Sequence, residues 1–124
     1  MSTRTSNVYV TIAPVGGSGI TELGMFNITV KPATEGDRIL NLQYVVSVEG
    51  QPQGEFVAFV FIGNLPKNHG LENSIFYASC DAVNANRQGK SLTVQVAGAI
   101  DEISNPFDVS QTFTNVLWPQ GSCS

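Results

Sequence analysis

The sequence predicts an all-β protein: a single-domain antiparallel β-sandwich, Ig-like or jelly-roll-like, of about seven strands. Three observations predict it. Apolar residues recur at every second position in short runs, the period of a half-buried strand. Gly, Pro and Asn cut those runs at turn-like spacings. No long helical period is sustained anywhere along the chain. A length of 124 residues is most economically one domain, residues 1–124. At that size a core needs no staples, because roughly two thirds of the unfolded surface is buried.

The elements follow in order. Val8, Val10 and Ile12 alternate with Tyr9 and Thr11 and stop at Pro14, before the glycine-rich turn Val15 to Gly19. Phe26, Ile28 and Val30 alternate with Asn27 and Thr29 and stop at Pro32; Thr34 to Asp37 reads as a tight turn. From Ile39 to Val48, Leu40, Leu42, Tyr44, Val46 and Val48 share one face, and Asn41, Gln43, Val45 and Ser47 the other. A polar turn over 49–54 leads to the run Phe56 to Ile62. Ser74 to Cys80 is the fifth strand, and the polar stretch Asp81 to Ser91 holds one helical turn or a loop. Leu92, Val94 and Val96 alternate with Thr93 and Gln95. Gly98 to Asp108 is ambiguous, since Ile100 and Ile103 have helical spacing, and Gln111 to Trp118 closes the pattern. The predicted core is Val10, Ile12, Phe26, Ile28, Leu42, Tyr44, Val46, Leu92, Val94 and Val96.

Composition narrows the function classes. Charged residues make up 13% of the chain, about half the usual share, and the net charge is −4. Weak surface charge removes one barrier to self-association. The cations are scattered, so no basic patch marks direct nucleic-acid binding. No run approaches the roughly 20 apolar residues of a transmembrane segment. Met1 to Arg4 leads into polar residues without a signal peptide, which points to cytosolic synthesis and, for an assembling subunit, to a place in the finished particle. The two cysteines, Cys80 and Cys123, are no disulfide framework and read as free thiols, with their pairing left open.

Candidate chemistry is sparse. The single histidine, His69, lies in a loop with Asn64, Lys67, Asn68, Glu72 and Asn73. Loops on rigid β scaffolds often carry binding sites, so this is the candidate ligand loop. A Cys80–His69 nucleophilic pair would need a contact of roughly 3 Å that sequence proximity does not supply. Asp101, Glu102 and Asp108 form the densest acidic group, but their spacing matches no EF-hand. One histidine and two distant cysteines make poor tetrahedral zinc coordination. No catalytic residue, metal site or cofactor is assigned.

The run Phe56 to Ile62 is the strongest functional signal. Phe56, Ala58, Val60 and Ile62 fall on one face, and Val57, Phe59 and Phe61 on the other. Both faces are apolar, so the second needs a cover: the chain's own loops or another subunit. Val57, Phe59 and Phe61, with Val45, are the candidate assembly face. The leading expectation is a non-enzymatic structural subunit of a homomeric assembly, such as a virion, tail or filament component. The alternative is a small-ligand or carbohydrate-binding module, lectin-like, using Asn, Gln and Asp with Tyr9, Tyr44, Tyr77 and Trp118. An enzyme is the weakest reading.

Overall fold

The computed structural model describes residues 2–4, 8–15, 24–50, 58–102 and 104–118. These form eight strands and one helix: β1 (Ser2–Arg4), β2 (Val8–Pro14), β3 (Gly24–Pro32), β4 (Ile39–Val48), β5 (Ala58–Gly63), β6 (Leu71–Ala78), α1 (Cys80–Arg87), β7 (Leu92–Ile100) and β8 (Pro106–Phe113). Two four-stranded sheets pack face to face. The first has the order β1-β2-β3-β6 and the second β5-β4-β7-β8. Every pairing is antiparallel. The chain is an antiparallel β-sandwich. β3 and β6 are neighbours in one sheet, while β4 and β7, the strands that follow them, are neighbours in the other. The crossings β3→β4 and β6→β7 therefore tie the two sheets together side by side.

The period-two pattern sets which residues face inward. Val8, Val10 and Ile12 of β2 meet Phe26, Ile28 and Val30 of β3 on the inner face, and all are buried. Opposite them lie Leu42, Tyr44, Val46, Leu92, Val94 and Val96. Every residue of the predicted core is buried. Tyr44 and Phe76 rings from opposite sheets lie 5.7 Å apart. The Tyr44 hydroxyl is buried, with no hydrogen-bond partner among the described residues. Burial raises its pKa, and nearby Ser74, outside hydrogen-bond geometry, lowers it less.

β4 departs from simple alternation. Ile39 is buried, Leu40 only half-buried and Leu42 buried, so the inward face changes parity within the strand. A bulge causes this: Leu40 pairs with Ala99 and Gln43 with Ala97, so Asn41 and Leu42 together oppose Gly98. Asn41 takes φ 53° there, a left-handed conformation that Asn tolerates. Gly98 is required because a Cβ would lie 2.8 Å from the Leu40 carbonyl oxygen and 3.0 Å from the Phe107 ring. Leu40 on the inward face is thus a corrected expectation.

Four further boundaries differ from the sequence reading. β6 runs Leu71–Ala78, earlier than the expected Ser74 to Cys80, and Cys80 opens α1 instead. The segment after β6 is a helix of two turns, not a single turn or a loop. Ser79 caps it, accepting a 3.2 Å bond from the Ala82 amide, and Asp81 and Arg87 suit its two ends. The last strand is Pro106–Phe113, earlier than the expected Gln111 to Trp118. A tight turn replaces the helical turn suggested by Ile100 and Ile103: the Ile100 amide donates to the Asn105 carbonyl at 2.9 Å. Ile103 itself lies outside the described residues. Finally, Cys80 is disulfide-bonded, against the reading of free thiols. Cys123 lies outside the described residues.

One polar side chain closes the end of the sandwich beside α1. Asn86 is 1% exposed. Its amide nitrogen donates to the carbonyls of Lys90 (2.8 Å) and Phe113 (3.4 Å). Its oxygen accepts from the Val116 amide (3.2 Å) and the Trp118 indole (3.1 Å). Trp118 in turn stands edge-on to Phe26, with ring centres 5.7 Å apart.

Candidate functional site

Two surface regions carry the residues singled out by sequence, one on each sheet. On the second sheet, β5 is an edge strand next to β4. Val45 pairs with Phe59 and Gln43 with Phe61, which places both phenylalanines on the outer face beside Val45. Phe59 is 46% exposed and Phe61 56%, while Val45 is half-buried between its neighbours. Val57 and Phe56 lie outside the described residues. Across β7 and β8 the same outer face turns polar: Thr93 and Thr112 hydroxyls share a 3.0 Å bond, and Gln95 donates to the Asp108 carboxylate at 2.8 Å. Among the described residues, the apolar patch on this face is therefore confined to the β5–β4 margin. Nearby on the other sheet's edge strand, β6, Ile75 and Tyr77 are also about half exposed.

The second region lies on the first sheet, where the β5–β6 loop folds over the end of β3. Tyr9 on β2 pairs with Lys31 on β3. Lys31 reaches Glu72 on β6 with an ion pair of 2.8 Å. That pair, with its hydrogen bond, holds the Glu72 carboxyl below its ordinary pKa. A cleft of about 670 Å³ lies here, lined by Lys31, Pro32, Thr34, Glu35, Asn68, His69, Gly70 and Glu72.

The loop that walls this cleft is pinned. The Asn68 amide donates to the Asp37 carbonyl at 2.9 Å, and the Asn68 side-chain oxygen accepts from the Gly36 amide. Asn68 needs a left-handed backbone, φ 64°, to do both. The His69 amide donates to the Pro66 carbonyl at 3.0 Å. Its ring Nδ1 lies 2.8 Å from the Lys67 carbonyl oxygen, which can only accept. Nδ1 therefore carries the proton, and Nε2 of the neutral ring is left as an acceptor. Gly70 lets the loop lie flat on β3: a Cβ there would overlap the Val30 carbonyl oxygen and sit 2.9 Å from Lys31 Cα.

Of the candidate ligand loop, the fold brings Asn68, His69 and Glu72 into the cleft. Asn64 instead accepts a 3.0 Å bond from the Asn41 amide and supports the β4 bulge. Asn73 lies within β6, where with Glu72 it bulges opposite Thr29 at φ 53° while its main-chain amide donates to the Thr29 hydroxyl. Lys67 contributes its carbonyl to His69 and lies outside the lining. Sequence reasoning missed Lys31, Thr34 and Glu35, which come from another strand and turn.

The remaining candidates separate. Cys80 is disulfide-bonded, so it offers no thiolate to His69. Asp101 accepts a 2.9 Å bond from the Arg38 amide, and Asp108 is bonded to Gln95. Among the described residues, no three His, Cys, Asp or Glu side chains gather as metal ligands, and no helix is long and apolar enough to cross a membrane. Comparison with protein families, curated proteins and solved structures finds no match to this chain.

Proposed function

We propose that this protein is a non-enzymatic structural subunit of a homomeric assembly, a virion, tail or filament component, and that copies meet through the outer face of β5 and β4. The exposure of Phe59 and Phe61 beside Val45 carries this reading. Together the two rings expose about one whole phenylalanine, roughly 200 Å². Covering that area is worth about 5 kcal/mol per copy at 25 cal/mol/Å². An isologous contact uses the patch twice, for about 10 kcal/mol before the association cost of about 4–15 kcal/mol. The two terms are of one size, so the neighbouring Val45 decides whether the contact holds. The low charge of the chain, 13% of residues, works in the same direction.

Light scattering coupled to size exclusion, run over a concentration series, tests this. Wild type is expected to be oligomeric, and Phe61→Lys is expected to shift it toward monomer with an unchanged far-UV circular dichroism spectrum. A wild type that stays monomeric up to its solubility limit overturns the proposal. So does a Phe61→Lys variant that assembles like wild type.

A further inference from the structure

We propose that the outer face of the first sheet carries a binding groove for a neutral oligosaccharide, running from Tyr9 across Lys31 and Pro32 to His69 and Glu72. The groove is independent of the assembly face, which lies on the other sheet. Two depressions compose it. One is the cleft of about 670 Å³ described above. The other, about 510 Å³, is lined by Tyr9, Lys31, Pro32 and Ala33. Lys31 and Pro32 line both, so the two are contiguous. Each volume is within the range of small-ligand sites, roughly 300–1,000 Å³.

The β2–β3 register and the Lys31–Glu72 ion pair set its length. Tyr9, Lys31 and Glu72 form a row across β2, β3 and β6. Adjacent strands are about 4.8 Å apart, so the row spans roughly 10 Å. That is enough for more than one sugar ring. At one end the Tyr9 ring, 40% exposed, offers a flat apolar surface for the C–H face of a sugar. In the middle, the Lys31–Glu72 pair supplies donors and acceptors together with no net charge. At the far end, His69 Nε2 accepts, and Thr34 supplies a hydroxyl.

Charge selects among ligands. Lys31 is already matched by Glu72, and Glu35 adds a further carboxylate to the lining. A groove with that balance disfavours acidic sugars and phosphates and suits hydroxyl-rich neutral ones. The wall is also preorganised: Gly70 lies against β3, and Asn68 and His69 are tied by backbone bonds. Little ordering is then lost on binding.

The test uses the full chain. It is first applied to an array of neutral, sialylated and sulfated glycans. The ¹⁵N-labelled protein is then titrated with cellobiose, lactose and N,N′-diacetylchitobiose. Expected are amide shifts confined to Tyr9, Lys31, Glu72 and the loop from Asn68 to Gly70. Tyr9→Ala should weaken binding about tenfold, equivalent to about 1.4 kcal/mol. Tyr9→Phe, which keeps the ring, should bind like wild type, and so should Phe61→Lys. If Tyr9→Ala does not fold, Glu72→Gln on the exposed ion pair provides the same comparison. Absence of shifts with every neutral saccharide overturns the proposal. So do shifts located elsewhere, preference for the acidic glycans, or undiminished binding by the Tyr9 and Glu72 variants. None of these results bears on assembly, which Phe61→Lys reports separately.

Discussion

Replacing Asn86 with Ala should loosen the end of the sandwich beside α1, and the structure gives the size of the effect. The buried amide makes contacts of 2.8, 3.1, 3.2 and 3.4 Å to four partners. Three have ordinary hydrogen-bond length, and each is worth about 1 kcal/mol net. The long contact to Phe113 adds little. The groups left behind add a desolvation cost of about 1 kcal/mol where water cannot reach them. Ala is the better helix former by about 0.6 kcal/mol, which offsets part of this. The net loss is about 3 kcal/mol. For 124 residues the unfolding entropy is about 0.26 kcal/mol/K, so Tm should fall by about 11 °C. The assay has an internal reporter, because Trp118 is the only tryptophan and bonds directly to Asn86. Its emission should shift to the red in the folded variant. Trp118→Phe, which removes one bond and keeps an aromatic ring against Phe26, should cost about 1 kcal/mol, or about 4 °C. An Asn86→Ala protein melting within about 2 °C of wild type, with unshifted emission, would refute the reasoning.

Three further outcomes follow from single groups. Tyr44→Phe removes a buried hydroxyl with no partner among the described residues, so stability should be unchanged or higher by up to about 1 kcal/mol; thermal melting checks it, and a loss of that size would reveal a bond to the hydroxyl. The Glu49 carboxylate accepts bonds from the Ser91 amide (2.9 Å) and hydroxyl (3.0 Å), with Lys90 nearby, and its pKa is lowered. A depressed carboxylate stabilises the fold above its unfolded pKa, and this contribution is lost as pH falls through the folded value. Glu49→Gln should therefore flatten the acid limb of a Tm-against-pH curve; a parallel displacement of the whole curve would contradict that. Asp37 has the opposite sign. Burial and the adjacent Asp101 carboxyl raise its pKa, so it favours the fold on the acid side and loses that contribution as pH rises through the raised value.

The fold was legible because most strands state their own inside and outside. In β2, β3 and β7 the alternation of a few residues is enough to identify Val10, Ile28 or Val94 as buried. Legibility failed where a tertiary contact overrides the period. The β4 bulge exists because Gly98 on β7 admits a close backbone approach, and nothing local to Leu40 announces that its face will change. Helix α1 is faint in the sequence for a related reason. Its sequence, Cys80 to Arg87, is half polar with no sustained apolar face, and its stability rests on Ser79 at the cap and on Ala82, Val83 and Asn86 fitting the end of the core. The disulfide has no sign in the sequence: a core adequate without it does not argue against it, because sufficiency of packing says nothing about thiol pairing.

The two surface regions differ in the same way. The apolar outer face of β5 was visible in the run itself, since alternation within one strand assigns Phe59 and Phe61 to a common side. What the run could not convey was position in the sheet. A central strand with two apolar faces needs loops over it, whereas an edge strand can present one of them to a second copy. The order β5-β4-β7-β8 makes that distinction. The groove on the other sheet has no such local sign. Tyr9, Lys31 and Glu72 belong to three strands and become a row only through the β2–β3 register and the Lys31–Glu72 pair. Loop composition alone therefore directed attention to Asn64 and Asn73, whose hydrogen bonds support the backbone, and away from Lys31. A side chain in a loop becomes a candidate ligand contact only when its polar atoms are not already committed to the fold. By that criterion His69 Nε2 remains and the Asn64 oxygen does not.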